Sequence, residues 1–226
     1  SVNAGSLYLF ERSGTGYREV FRTVLSGTRA EPALAMNAAG TRVVVETEYR
    51  PEGSYGYEYQ RHLKVLDRSG GGSWSETASV RIHTGGTDSM IRDVAMPADG
   101  GSFYVCTDAE VVVPVVQDGG ECVIQEAVFL GEDHSGLCRL AIDAAGTRLF
   151  ASGGEVNTHS HATTHVFDLT REGMTLVNRY VWDGWGTPIE KSIATPPSGS
   201  FGAVLLHQPE AGFQVRFLSD STGSWT

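Results

Sequence analysis

Three features of this sequence predict an all-β fold. Glycine is abundant, at 28 of 226 residues, and is spread along the whole chain. Short apolar runs alternate with turn signals from end to end, and two kinds of hairpin recur in a fixed order. The recurrence is the most informative of the three, because units of this period bury their apolar faces only against their neighbours. The predicted architecture is a β-propeller of four-stranded antiparallel blades, incomplete within this chain. It holds about four blades plus an extra N-terminal outer hairpin, read as one region over 1–226.

The first kind of hairpin reads as the inner pair of a blade. Its copies are ALAMNAAGTRVVVET from Ala33, DVAMPADGGSFYVCT from Asp93, RLAIDAAGTRLFASG from Arg139 and KSIATPPSGSFGAVLLH from Lys191. These place inner hairpins at about 33–47, 93–107, 139–152 and 191–207. Each has a short apolar strand, a small polar turn closing on Gly40, Gly100, Gly146 or Gly199, and a second apolar strand. A tight turn puts one residue at positive φ, where a Cβ would clash, and glycine relieves that. The turn glycines recur about 46 to 60 residues apart, the spacing of blades with loop insertions.

The second kind reads as the outer pair. Its copies are SLYLFERSGTGYREVFRTVL, HLKVLDRSGGGSWSETASVRI, EVVVPVVQDGGECVIQEAVFL, THVFDLTREGMTLVNRYVW and FQVRFLSDSTGSWT, over about 6–25, 62–82, 110–130, 164–182 and 213–226. Leu7 and Leu9 alternate with Tyr8 and Phe10, the period-two pattern of a strand with one buried face. The near-continuous apolar strands of the first kind suggest packing on both faces, so the inner pair is expected to be the drier one. Tyr17, Trp74 and Trp225 hold matching places after their turns, and a single residue follows the last of them. The first outer hairpin lacks an inner partner, so a ring cannot close on this inventory. The expectation is that a longer polypeptide, or another subunit, supplies the missing strands.

GSLYLFERSGTGYREV and LKVLDRSGGGSWSET, followed by LAMNAAGTRVVV and LAIDAAGTRLFA, resemble the repeats of FG-GAP (integrin-α-like) β-propellers across nearly the whole chain. PADGGSFYV is also similar to repeats of seven-bladed surface-layer and lactonase-type propellers. Either resemblance implies the same architecture, and the first implies an extracellular or cell-surface location and adhesion. The Phe-Gly and Gly-Ala-Pro pairs of that family are missing from the corresponding places, where Ala30-Glu31-Pro32 and Glu46-Thr47 stand. So are its Asp-x-Asp-x-Asp-Gly calcium loops, since Asp143-Ala144-Ala145-Gly146 offers one acid where Ca²⁺ needs several converging oxygens. Calcium is not expected.

A net charge of −10 without a basic cluster excludes a general affinity for nucleic acid. No apolar run approaches the length of a membrane-spanning helix. The sequence contains no Gly-x-Ser-x-Gly elbow, His-Glu-x-x-His motif, phosphate loop or dinucleotide fingerprint. The leading reading is therefore a non-catalytic structural or protein-interaction module, extracellular or surface-associated, that binds another protein or itself. The alternatives are a hydrolase-type propeller enzyme with a metal site, or a glycan-binding propeller.

Three groups of residues carry those readings. His159, His161 and His165 in NTHSHATTH could converge on Zn²⁺, the one cofactor the sequence suggests, or could be ordinary loop histidines. Tyr55, Tyr57 and Tyr59 alternate in the longest inner-to-outer connection, where they either form a recognition surface or pack within a longer hairpin. Trp182 and Trp185 could stack on a sugar ring, or fill the wedge between blades. Cys106, Cys122 and Cys138 allow one disulfide plus a free thiol, or three buried thiols behaving as small hydrophobes.

Overall fold

A computed structural model describes residues 5–25, 32–49, 60–83, 90–130, 137–143, 145–154, 162–170, 173–182, 189–194, 201–208 and 212–219. Every regular element among them is a strand. Strands β1 (Gly5–Ser13) and β2 (Gly16–Leu25) form a hairpin of their own. The first complete blade runs β3 (Leu34–Met36), β4 (Arg42–Tyr49), β5 (Gln60–Arg68) and β6 (Trp74–Arg81), in that order across the sheet. The second runs β7 (Ile91–Ala95), β8 (Ser102–Thr107), β9 (Val111–Asp118) and β10 (Glu121–Ile124), with β11 (Val128–Phe129) also on β9. The third is β12 (Leu137–Ile142), β13 (Arg148–Gly154), β14 (Ala162–Thr170) and β15 (Gly173–Trp182). A three-stranded sheet follows, β16 (Ile189–Ala194), β17 (Phe201–Gln208) and β18 (Gly212–Ser219). All pairings are antiparallel and, apart from β11 on β9, join strands adjacent in the chain; the described sheets do not close into a ring.

The turn between the first two strands of a blade has a local cause. In the first blade Asn37 Oδ1 accepts the amides of Thr41 and Arg42 at 2.9 and 3.0 Å, while its Nδ2 donates to Thr41 Oγ1 at 3.0 Å. In the third, Asp143 Oδ1 accepts the amides of Thr147 and Arg148 at 2.7 and 3.0 Å, and Oδ2 accepts the Thr147 hydroxyl at 2.8 Å. Asn and Asp fill the same role because a short side-chain carbonyl can reach back to the amides of its own turn. Gly40, Gly100 and Gly146 then close the turns at φ of +62°, +71° and +68°.

Those turns also form the joints between blades. A Cβ on Gly100 would come within 3.0 Å of Asn37 Nδ2, and one on Gly146 within 2.7 Å of the Pro97 Cβ. Gly100 and Gly146 thus each lie against the turn of the blade before them. Along the inner edge β3 packs on β7, β7 on β12 and β12 on β16.

The cores lie between sheets. Leu7 and Leu25 of the hairpin meet Val43, Val45 and Leu66 of the first blade. Val44, Leu63 and Val65 of the first blade meet Val105, Val113 and Val115 of the second. Tyr104, Cys106 and Val112 of the second meet Leu140, Leu149 and Phe167 of the third. A disulfide joins Cys106 to Cys138 across that last wedge, with Cα atoms 5.9 Å apart, and leaves Cys122 as the free thiol.

Burial does not follow the inner-against-outer division. The second and third strands are the drier ones, as in β8 and β9, while β3 exposes Leu34 and Met36. The middle strands are covered on both edges and both faces, whereas the first strand borders the inner opening and the fourth borders solvent.

The glycine contacts give a test. Ala at Gly40 meets only the strained backbone and should cost about 1 kcal/mol. Ala at Gly146 also overlaps Pro97 and should cost at least about 2 kcal/mol in chemical denaturation. Equal losses at the two positions would contradict the joint.

Candidate functional site

The third strand of each blade carries the polar groups that matter most. His165, in the middle of β14, is 4% exposed and points with Phe167 toward the second blade, the two rings stacked 6.1 Å apart. Burial, helped by the charge of Arg179 across the ladder, lowers its pKa to about 4. The imidazole is therefore neutral near pH 7, and its Nδ1 is buried without a hydrogen-bond partner. A neutral ring nitrogen is the form that ligates a metal. His159 and His161 lie outside the described residues, among which no group of three or more His, Cys, Asp or Glu could hold a metal ion. Trp182 ends β15, its backbone opposite Ala162. Tyr55, Tyr57, Tyr59 and Trp185 lie outside the described residues.

Several carboxylates are held within the architecture. Asp67 accepts Arg42 in a two-pronged pair at 2.6 and 2.9 Å, and the same guanidinium donates to the Gly100 carbonyl of the next blade at 2.6 Å. The Arg42 guanidinium holds the Asp67 carboxyl below its ordinary pKa. In the third blade Asp168 accepts Arg148 Nε and Nη2 on its Oδ1, at 3.2 and 3.1 Å. Asp93 reaches from β7 to the Leu140 amide at 2.9 Å, and its burial raises its pKa. Glu46 and Glu48 share Arg61, buried where β4 faces β5. Sequence motifs missed these groups because their partners are distant in the chain and near only through strand pairing.

One cleft of about 720 Å³ opens between the second and third blades. It exists because the outermost strand of the second blade breaks: β10 stops at Ile124, Gln125 N donates to the Pro114 carbonyl at 2.9 Å, and β11 resumes at Val128. Proline has no N–H to give the ladder, so a strand paired along it loses a bond there. Asp99, Gln117 and Asp118 give the cleft acidic and amide groups beside Tyr104 and Val123.

The β1–β2 hairpin is the other open feature. Leu7 and Leu9 face the first blade. Tyr8 and Phe10, on the opposite face, are 42% and 59% exposed. A register shift marks the same place in three outer hairpins: between Leu9 and Phe10, between Val65 and Leu66, and between Val166 and Phe167. That bulge aligns the repeats. It makes Phe10 equivalent to Leu66 and Phe167, and Glu11 equivalent to Asp67 and Asp168.

With this geometry, the chain compares with solved structures as follows. A functionally unknown protein from Desulfotomaculum acetoxidans matches 98% of this chain and 61% of its own length, at 12% identity and a TM-score of 0.64. The Cps50 (Swd1) β-propeller domain of Myceliophteria thermophila matches 95% of this chain and 64% of its own, at 14% identity and a TM-score of 0.59. Hydrazine synthase of Kuenenia stuttgartiensis matches 89% and 57%, at 15% identity and a TM-score of 0.60. The shared feature is the β-propeller fold. No family model matches the chain, and no curated protein matches its sequence, so the FG-GAP likeness extends to the propeller architecture and no further. This chain spans about 60% of the length of these structures.

His165 makes stability depend on pH. Its folded-state pKa lies below its unfolded value, so the stability it contributes in neutral form is complete above about pH 6.5 and is lost as pH falls toward 4. The loss should reach up to about 3 kcal/mol in denaturant titrations at the two ends of that range. His165→Phe should flatten this dependence, and an unchanged slope in that variant would contradict the assignment.

Proposed function

We propose that this chain is a non-catalytic propeller module that binds protein through its open sheets, in an extracellular or surface-exposed setting. The observation that carries this reading is the pair of exposed aromatics on the β1–β2 hairpin, Tyr8 and Phe10, the second of them at a position that is buried in the complete blades. Exposed apolar surface beside an unpaired strand edge is the form of a protein contact. The engagement of Asp67, Asp93, Asp143 and Asp168 in turns, pairs and joints supports a structural use of these acids.

The buried Cys106–Cys138 bond supports the setting, because disulfides persist chiefly in oxidising compartments. Alkylation of the unfolded, unreduced protein should modify Cys122 alone, as read by intact mass. Reduction should cost roughly 3–4 kcal/mol, the loop-closure value for a separation of 32 residues. Three modified thiols in protein taken from its natural source would remove the support for an oxidising compartment.

Cross-linking mass spectrometry on the natural protein in place should yield protein cross-links from Ser6, Arg12 and neighbouring positions of the hairpin. Stoichiometric Zn²⁺ together with lactone or ester hydrolysis by the purified protein, abolished by chelation, would overturn the non-catalytic reading.

A further inference from the structure

We propose that the outward face and free edge of the β1–β2 hairpin dock an inner-type β-hairpin from polypeptide outside these 226 residues, with an arginine opening its second strand to pair with Glu11. This rests on the interaction reading above and names the chemistry of the partner.

The edge gives the first reason. The strands in the place of β1 within complete blades are β5, β9 and β14, and each is hydrogen-bonded on both sides. Among the described residues β1 pairs only with β2. The side left open among the described residues is where β4, β8 and β13 lie in their own blades, so the strand that would fill it is an antiparallel second strand.

The face gives the second. Phe10 is 59% exposed, whereas its equivalents Leu66 and Phe167 are 2% and 1% exposed against the preceding sheet. Tyr8 and Phe10 are stacked 6.4 Å apart with planes 16° from parallel, matching the buried His165–Phe167 pair at 6.1 Å and 17°. Arg22 lies over the Tyr8 ring at 5.1 Å. Phe10 thus holds a position that is buried in the complete blades and stands open here among the described residues.

The turn gives the third. Gly100 and Gly146 lie against the turns of the blades before them, while a Cβ on Gly40 would meet nothing within 4 Å. The space above Gly40 is the position that the turn of the incoming hairpin would fill.

Charge specifies the partner further. Arg42 lies opposite Asp67 and Arg148 opposite Asp168, and in the second blade both members change together, to Ser102 opposite Val116. An acid on the third strand therefore accompanies an arginine at the start of the second. Glu11 holds the acid position in β1 and is 40% exposed at its side chain, with Arg68 and Arg18 at 3.0 and 3.3 Å.

A second copy of this chain is a poorer occupant. All four inner hairpins described here already hold a third strand of their own, β5, β9, β14 and β18. The solved structures this chain matches are longer than the part it covers, which leaves room for a further blade in such a fold.

The test is a chimera in which a copy of residues 137–154, with Cys138→Ser, precedes the full chain through a Gly/Ser linker of about ten residues. The linker raises the local concentration of a hairpin too weak to survive alone. Hydrogen exchange should slow at least tenfold across β1 relative to the unfused chain, and the melting temperature should rise. Glu11→Lys should abolish at least nine-tenths of that protection, and Arg148→Glu in the added copy alone should restore it. Unprotected β1 amides in a folded chimera overturn the inference, and so does protection indifferent to the charge swap. A dimeric unfused chain with β1 already protected overturns it as well, by naming a second copy as the occupant. None of these outcomes reports on catalysis, so the broader reading stands or falls on its own tests.

Discussion

Each sheet in this chain depends on the sheet beside it. A four-stranded blade has two faces and too few residues to bury either alone, so the apolar side chains of β5 divide between two neighbours. Leu63 and Val65 turn toward the second blade, and Leu66, past the bulge, turns toward the β1–β2 hairpin. Stability in such an array is largely a sum over interfaces, and each interface needs a sheet on both sides. The exposed aromatics of β1 are what that rule leaves at the first sheet.

The joints make the stacking specific. Apolar wedges tolerate sliding, whereas a glycine turn seated on the preceding turn and an arginine reaching into the next blade do not. Arg42 serves both purposes: it pairs with Asp67 inside its own blade and donates to the Gly100 carbonyl outside it. The second blade lacks this arginine, and there the disulfide to Cys138 and the Asp93–Leu140 bond tie it to the third. The two interfaces are fixed by different chemistry, beside the turn in the first case and at the opposite end of the strands in the second.

Much of the architecture was legible because its causes are local. Turn glycines at positive φ and the alternation of Leu7 and Leu9 with Tyr8 and Phe10 need only neighbouring residues to be read. The disulfide was not legible, since an odd cysteine count with even spacing permits several pairings and the answer lies in how two blades stack. Nor was the bulge, because one extra residue in a partner strand leaves no mark on period-two alternation until the register is known. His165 shows the same limit. The sequence reads His165 as the start of an outer strand and a candidate ligand, whereas pairing with Ala151 sets it in mid-strand, buried and stacked on Phe167.

The second blade shows how the repeat uses that freedom. Where the first and third blades place Arg against Asp, it places Ser102 against Val116, and its third strand carries Pro114 beside the break in the outermost strand. Losing the ion pair removes a polar anchor near the outer turn, and losing an N–H interrupts the ladder to the fourth strand. Together the two changes open the cleft between the second and third blades beside that turn. A blade anchored on both sides can relinquish one internal bond, because its position is set by its neighbours. The hairpin of β1 and β2, anchored among the described residues by the first blade, keeps an acid at Glu11 and exposed aromatics at Tyr8 and Phe10.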